Sequence, residues 1–309
     1  MLNNLNLCKQ RSGFVASKPE LTHNPRFERR ISKMILRHVA LVSETNSISF
    51  AELSRVSAAL QKQALRDLAP VWNVQSTVDA FDRLEDVPMG TWPIIIEDNI
   101  DTPGAAGVHE DKDGQPFSLV TAESGWSLTA SHEMIEMLVD PFGRRLTEGQ
   151  SPKPGQGRVE FLVEPCDPSE AVQFAYRING VTVSDFYTPK YFATDLNPAD
   201  RYSHTGSIKK PRQVLKGGYL SWHDVVTDHW FQETFFQGTS PKFRDLGQLT
   251  ASAKSFRRQI YDVTNEAFAT RRPKGKELTA VKSALVATAD STESKATHWR
   301  AQIAALKKK

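Results

Sequence analysis

Three residues that could bind a metal ion and move protons lie close together in the middle of the chain, at His132, Glu133 and Glu136. Side chains four residues apart lie on one face of an α-helix, so His132 and Glu136 could bind the same cation, with Glu133 beside them. The spacing is that of the H-E-x-x-H zinc motif, with a Glu in place of the second His. The pattern therefore predicts a metal site with water-activating chemistry.

The positions around this motif are mostly apolar. A helix that is apolar nearly all round is usually buried, and buried carboxylates need a partner. A divalent cation is the simplest partner for these groups, and a hydrogen-bonded cluster without metal is the alternative. The apolar positions are Leu128, Ala130, Met134, Ile135, Met137, Leu138 and Val139.

A third metal ligand is expected, because a catalytic zinc usually has three protein ligands and one position open to water. Glu164 is the first candidate, since it ends an apolar, strand-like segment just before a proline. Asp167 lies three residues further on in the same acidic turn and is the alternative. Four histidines are less favoured candidates for the third ligand, namely His109, His204, His223 and His229.

Glu133 is predicted to be the general base that takes a proton from metal-bound water. Two aromatic segments, 189–192 and 217–224, are predicted to be ordered loops near the site. Their residues Tyr191, Tyr219 and His223 are candidate hydrogen-bond donors to a transition state. Two carboxylates and one imidazole form a more oxygen-rich ligand set than three imidazoles. Zinc is the expected ion, and manganese or calcium is the alternative.

Hydrophobic periodicity and turn residues predict the elements that would position these side chains. The expected order is a strand at 35–42, a helix at 49–67, strands at 71–78 and 91–96, an acidic loop at 97–114, a strand at 117–122 and the motif helix. The strand at 117–122 is expected to be the sheet edge along which an extended peptide could pair. This order is similar to that of the N-terminal half of zincin metallopeptidases.

The chain is expected to have three parts. Residues 1–30 are polar and irregular and are predicted to be a flexible arm, residues 31–250 a catalytic domain, and residues 251–309 a charged helical tail. The expected fold class is α+β, with a zincin-like mixed sheet and an active-site helix, followed by a loop-rich C-terminal part and the helical tail.

Two sequence motifs resemble those of a little-characterised family of bacterial and phage-encoded zincin-like proteins with an HExxE motif. They are S-H-E-x-x-E-M-x-x-D-P at 131–141 and E-x-C-D-x-x-E at 164–170, and the likeness spans roughly residues 35–250. The resemblance implies a zincin-type fold and a metallopeptidase activity without indicating a substrate. The chain departs from the pattern at Val108, where the family has an aromatic residue, which puts a substrate contact there in doubt.

Composition narrows the classes of function. The 309-residue chain is 39% hydrophobic and has a net charge of +3, which is enough apolar material for a core and too little charge to indicate nucleic-acid binding, despite a basic excess at 271–276 and 307–309. No segment is typical of a membrane span or a signal peptide, so a cytoplasmic location is expected, with association with a phage particle as the alternative. Cys8 and Cys166 are too few for a disulfide framework or a cysteine-rich zinc site.

Two functions follow as hypotheses. The first is a metal-dependent hydrolase, most simply a peptidase that acts on a polypeptide or peptide substrate. The alternative is a catalytically silent, zincin-like scaffold in which a structural metal supports a binding or interaction protein. Glu133 favours catalysis, because a structural site needs no free carboxylate next to its ion. The sequence predicts neither the cleavage specificity nor the oligomeric state.

Overall fold

The first half of the domain is built on a five-stranded mixed sheet. The computed structural model describes residues 36–102, 104–250, 252 and 254–266. The strand order is β2-β1-β3-β5-β4, in which the first four strands are parallel and β4 is an antiparallel edge strand. The strands are β1 (Leu36–Ser43), β2 (Gln75–Phe81), β3 (Trp92–Glu97), β4 (Gly107–Lys112) and β5 (Gln115–Thr121).

The centre of this sheet is apolar on both faces. Residues 39–42 of β1 and 94–96 of β3 are all buried, as is typical of parallel strands that are covered on both sides. Alternate residues of these strands pack on one face against two helices, α1 (Phe50–Lys62) and α3 (Trp126–Val139). The other face is covered by residues outside the sheet, such as Leu84 of a short 3₁₀ turn (Leu84–Asp86). The motif helix α3 is thus held directly against the sheet.

The first helix is longer than its sequence pattern predicts. Ser49 caps α1 by accepting a hydrogen bond from the backbone N–H of Glu52, as the capping pattern indicates. The helix then continues through a π-helical turn (Gln63–Leu68) into α2 (Ala69–Trp72), although an end near residue 67 was expected. Pro70 lies at the start of α2, directly after the π-helical turn. The next strand consequently begins at Gln75.

A second, antiparallel sheet follows α3. Its order is β12-β11-β10-β7-β6, and a separate two-stranded hairpin is formed by β8 (Tyr176–Ile178) and β9 (Val181–Val183). The mixed α+β class is confirmed, with several sheets and few helices in the described residues. The segment at 217–224 was expected to be an aromatic loop but contains β10. The strands of the second sheet are β6 (Leu146–Gln150), β7 (Arg158–Leu162), β10 (Tyr219–Asp224), β11 (His229–Thr234) and β12 (Lys242–Gly247).

The described part of the predicted tail packs on the second sheet. Helix α4 (Phe256–Glu266) buries Ile260 against Leu162 and Trp230, and the rings of Phe256 and Trp230 lie 5.0 Å apart between centroids. This helix therefore belongs to the folded domain, beyond the expected boundary at residue 250. The predicted arm, residues 1–30, and the rest of the tail, residues 267–309, lie outside the described residues.

The sheet edge next to α3 is a different strand from the one expected. The strand predicted at 117–122 corresponds to β5, which is paired on both sides, by β3 and by β4. The edge strand β4 lies inside the segment expected to be an acidic loop, because its sequence, G-V-H-E-D-K, has too few apolar residues to show a strand pattern. None of the described helices has the length and apolar character needed to cross a membrane.

Candidate metal centre

Helix α3 and the segment after β7 place their polar side chains around one cavity. The cavity has a volume of about 530 Å³, and His132, Glu133, Glu164 and Glu170 line it. Glu136 and Asp167 are buried beside His132, whose side chain is 12% exposed. The two motifs singled out in the sequence therefore meet at one site.

His132, Glu136 and Asp167 form a group with the donor atoms of a metal site. His132 Nε2 lies 3.3 Å from Glu136 Oε1 and 3.2 Å from Asp167 Oδ1. One donor atom from each of the three residues lies within 4.8 Å of the other two. Both oxygens of Asp167 are buried, and neither makes a well-aligned hydrogen bond in the described part of the chain. Buried carboxylate oxygens without partners are costly, so a cation at this position would stabilise the group.

Local contacts fix the backbone on both sides of this group. The Ser131 hydroxyl donates to Gln63 Oε1 at 2.7 Å and accepts from the backbone N–H of Ser184 at 2.8 Å, which anchors α3 one residue before His132. A short 3₁₀ turn (Asp167–Ser169) presents Asp167. Gly218 allows β10 to start against this turn, because a Cβ atom there would lie 2.5 Å from the Asp167 carbonyl oxygen.

His109 forms a second group with Glu133 and Glu136, on the other side of α3. Its Nε2 lies 3.1 Å from the carbonyl oxygen of Asp140, which can only accept, so Nε2 carries a proton. Its Nδ1 lies 3.4 Å from Glu133 Oε2 and 3.8 Å from Glu136 Oε2. Gly107, two residues earlier on β4, allows the close approach, since a Cβ atom there would lie 2.9 Å from Glu133 Cγ. The edge strand thus holds an imidazole against the expected general base.

Arg257, from α4, reaches into the same cluster. Its guanidinium donates to Glu136 Oε2, lies 3.1 Å from Glu164 Oε1 and lies 3.9 Å from Glu133 Oε2. Glu164 is therefore paired with an arginine, whereas Asp167 faces His132. Sequence reasoning missed Arg257, because an arginine in a charged segment 121 positions from Glu136 carries no spacing signal.

The pKa values in this cluster reflect an excess of buried negative charge. Burial, then the charge of Asp167, raises the pKa of Glu164 well above its usual value, and burial, then the charge of Glu136, raises the pKa of Asp167. Burial alone would raise the pKa of Glu136, but Arg257 and His132 hold it well below its usual value. Burial alone would lower the pKa of His132, but Glu136 and the contact with Asp167 raise it well above its usual value. A divalent ion at this position would supply positive charge that competes with proton binding by these carboxylates.

No family model matches the chain, and no curated protein or solved structure is significantly similar to it.

The other sequence candidates divide into residues at the cavity and residues away from it. Tyr219 lines the cavity, and so does His109. Tyr191 does not, because its ring is stacked on Tyr187 in the core under the second sheet and its hydroxyl donates to the Gln213 carbonyl oxygen at 3.2 Å. This burial leaves Tyr191 no contact with the cavity.

Three histidines considered from the sequence also lie elsewhere. His223 has Nδ1 3.2 Å from Glu160 and Nε2 3.0 Å from Asp228, so both ring nitrogens face surface carboxylates of the second sheet. His204 packs parallel to the ring of Phe186. His229 lies 3.0 Å from a carboxylate oxygen on β12. The structure places none of the three at the cavity.

Proposed function

We propose that this protein is a metal-dependent hydrolase that cleaves peptide bonds, with a zincin-like active site. The observation that carries the proposal is the convergence of His132, Glu136 and Asp167, with Glu133 beside them on the cavity wall. Parallel strands, an antiparallel edge strand and a motif helix packed beneath them are the features that support the zincin-like interpretation.

The proposed ligands are His132 Nε2, one oxygen of Glu136 and one oxygen of Asp167. Asp167 is preferred over Glu164 because it faces His132, while Glu164 faces Arg257. One nitrogen and two carboxylate oxygens suit zinc or manganese, whereas calcium sites are built from oxygen ligands. Zinc remains the first choice.

A bound zinc ion would supply Lewis-acid polarisation of the substrate carbonyl and acidify water. Glu133 would accept the proton of the attacking water at a carboxylate oxygen and later deliver it to the leaving amine. His109 lies against Glu133 on the β4 side, and the Tyr219 hydroxyl is available as a hydrogen-bond donor to the developing oxyanion. Tyr219 replaces Tyr191 and His223 in the proposed constellation.

A polypeptide substrate fits the edge strand. The outer edge of β4 is not paired by another described strand, and β4 passes directly over Glu133. An extended peptide could therefore add to β4 through backbone hydrogen bonds.

The scaffold function remains a second proposal, and Arg257 is the observation that favours it. Its guanidinium already neutralises Glu136 and Glu164, as the counter-ion of a structural cluster would. In the hydrolase Glu133 is the general base, whereas in the scaffold it takes part in no reaction.

Metal content and peptide hydrolysis should be measured on wild type, His132→Ala, Glu133→Gln and two controls outside the cavity, His204→Ala and Glu148→Gln. For a hydrolase we expect about one zinc per chain in wild type, its loss in His132→Ala, and retained zinc without hydrolysis in Glu133→Gln. Zinc without activity in wild type would support the scaffold. The absence of zinc from wild type, with manganese and calcium also absent, would overturn both proposals.

A further inference from the structure

Three arginines line the cavity, and one of them has no acidic partner. Arg257 is paired with Glu136 and Glu164, and Arg258 lies 2.7 Å from Glu110 Oε1. Arg244, on β12, makes no ion pair within the residues that the structure describes, although it lines the same cavity as His132 and Glu133. It is therefore a positive charge in the candidate active site that nothing in the described chain neutralises.

Arg244 is held in one orientation by a row of residues across three strands. Ser221 lies opposite Gln232 in the β10–β11 ladder, and Gln232 lies opposite Arg244 in the β11–β12 ladder. Gln232 Oε1 accepts hydrogen bonds from Arg244 Nε, at 2.9 Å, and from Nη2. Gln232 Nε2 donates to Ser221 Oγ at 3.1 Å. The amide cannot be reversed, since its NH₂ group would then face the guanidinium donors.

This arrangement leaves one edge of the guanidinium available. Gln232 uses the Nε–Nη2 edge, so the Nη1–Nη2 edge still has N–H donors for which the described residues provide no acceptor. Two parallel N–H groups at that edge match the two oxygens of a carboxylate. Arg244 is also half-buried, and burial lowers its pKa, so the cation is only partly hydrated. A partly desolvated, preorganised guanidinium favours an anionic ligand.

The charge of the cavity wall indicates which anionic ligand suits Arg244. Its wall also contains the carboxylates of Glu110 and Glu133, so a doubly charged phosphate would meet more repulsion than a singly charged carboxylate. A volume of about 530 Å³ is in the range of pockets that bind small ligands, which suits the end of a peptide better than the middle of a folded chain. Every peptide with an unmodified C-terminus has one such carboxylate at that end.

We propose that Arg244 binds the free C-terminal carboxylate of a peptide substrate, and that the protein acts on bonds near the C-terminus. This inference rests on the proposed hydrolase function of the same cavity. Arg244 is a substrate-binding residue, and the Gln232–Ser221 pair positions it.

The test compares three N-acetylated tripeptides: Ala-Phe-Leu with a free carboxylate, the same peptide as its C-terminal amide, and the amide of Ala-Phe-Asp. Each is offered to zinc-loaded wild type, Arg244→Gln, Arg244→Lys and the control Arg158→Gln, which changes an arginine of the second sheet outside the cavity. Hydrolysis gives kcat/KM, and calorimetry gives the binding affinity of each peptide. Thermal unfolding checks that the variants fold. If Arg244→Gln does not fold, Arg244→Lys decides the test, because it keeps the charge but loses the planar fork.

We expect wild type and Arg158→Gln to bind the free acid about 10- to 100-fold more tightly than its amide, which is the range for a charged hydrogen-bonded pair. Arg244→Gln should abolish this preference and Arg244→Lys should reduce it, with little change for the amide. Equal affinity and equal kcat/KM of wild type for the acid and the amide would overturn the proposal, but would not contradict the hydrolase function. If wild type prefers the aspartyl amide over the leucyl amide as strongly as it prefers the free acid, Arg244 binds a side-chain carboxylate and the C-terminal assignment is overturned.

Preferential binding of the acid without hydrolysis of any peptide would support Arg244 as the anchor and count against the hydrolase. Failure of all three peptides to bind or react would overturn the carboxylate proposal.

Discussion

The two carboxylate oxygens of Glu136 contact different groups of the cluster. Oε1 faces His132 and accepts a hydrogen bond from the backbone N–H of Cys166 at 3.3 Å. Oε2 faces Arg257 and His109. One side chain of α3 therefore contacts the segment after β7, the edge strand β4 and the last described helix. A metal ion at Oε1 and the arginine at Oε2 are compatible, because they use different atoms.

Replacing Arg257 should be costly when no metal is present. Arg257→Leu would leave Glu136 and Glu164 buried without their cation, so we expect the free energy of unfolding to fall by about 3–5 kcal/mol in the presence of a chelator. Saturating zinc should restore part of the loss, because the ion would neutralise Glu136. Urea unfolding with and without zinc measures both effects.

The neighbouring residue provides the matched control for Arg257. Arg258 has a side chain that is 35% exposed and pairs with Glu110, so Arg258→Leu should cost less than about 1 kcal/mol. Similar losses for the two variants would show that Arg257 is an ordinary surface residue of α4 and would remove it from the cluster.

Glu233 gives a pH-dependent prediction at a site away from the cluster. It is a buried carboxylate on β11 with one oxygen that lacks a hydrogen bond in the described residues, and burial raises its pKa to about 7. The unfolded chain releases this proton near pH 4.3, so ionisation of the folded form costs stability progressively between about pH 4.3 and pH 7. Below that interval both forms are protonated and the cost is absent.

Glu233→Gln should therefore be more stable than wild type at pH 8 and nearly equal to it at pH 4. Unfolding midpoints of both proteins across this range give the difference directly. Glu148→Gln, at an exposed carboxylate with a side chain that is 70% accessible, is the control and should show no such trend. A constant difference between Glu233→Gln and wild type at every pH would contradict the raised pKa.

At the scale of elements, the contact between β4 and α3 depends on Gly107. A Cβ atom at this position would lie 2.5 Å from Thr129 Cγ2 and 2.9 Å from Glu133 Oε1. Gly107→Ala should therefore push β4 away from α3 and move Glu133, with a stability loss of about 1–3 kcal/mol and a large loss of any hydrolytic activity.

Gly157→Ala is the control for Gly107→Ala. A Cβ atom at Gly157 would meet nothing within 4 Å, and its backbone does not require a glycine. Circular dichroism melts and peptide hydrolysis on both variants would show whether the effect is specific. An active Gly107→Ala protein would mean that the edge strand can move without disturbing Glu133.

The elements that were predicted correctly are those with strong apolar periodicity. The runs at 39–42 and 94–96 and the apolar positions of α3 gave the parallel strands and the motif helix, because burial leaves a regular pattern in the sequence. The strand β4 was missed because it is a polar edge strand. The π-helical turn (Gln63–Leu68) was missed because helix propensity does not distinguish it from α-helix.

The site followed the same rule. His132, Glu133 and Glu136 could be grouped from the sequence because helical spacing is local and leaves a sequence signature. Asp167 could only be given as one of two alternatives, since the geometry of a turn cannot be read from its residues. His109 and Arg257 come from β4 and α4, and only the tertiary fold brings them to α3. Tyr191 and His223 were chosen for their chemistry and then placed by packing in other surroundings.

At the scale of the whole molecule, α4 joins the second sheet to the cluster carried by the first. Ile260 packs on Leu162 and Trp230 of the second sheet, while Arg257, one turn earlier on the helix, reaches Glu136 on α3. A chain ending at residue 250 would lose both contacts. We expect it to unfold at a lower temperature than a chain ending at residue 266, with a cost of at least about 2–4 kcal/mol for the buried Ile260 alone.

The comparison of these two truncated chains needs only thermal unfolding and metal titration. The shorter chain should also bind zinc with altered affinity, since the counter-ion of Glu136 is missing. Identical melting and metal binding would show that α4 is dispensable and that the cavity wall it provides has no structural role.

The position of Arg257 near the C-terminal end of the described chain has a consequence for protein synthesis. Glu136 leaves the ribosome 121 residues before Arg257, which corresponds to a delay of roughly 6–24 s at ordinary translation rates. During that interval the nascent chain holds its acidic residues without their guanidinium counter-charge, and the cavity has no wall from α4. If the protein is the peptidase proposed above, we expect its full activity only after α4 has been synthesised, which would limit cleavage of the nascent chain.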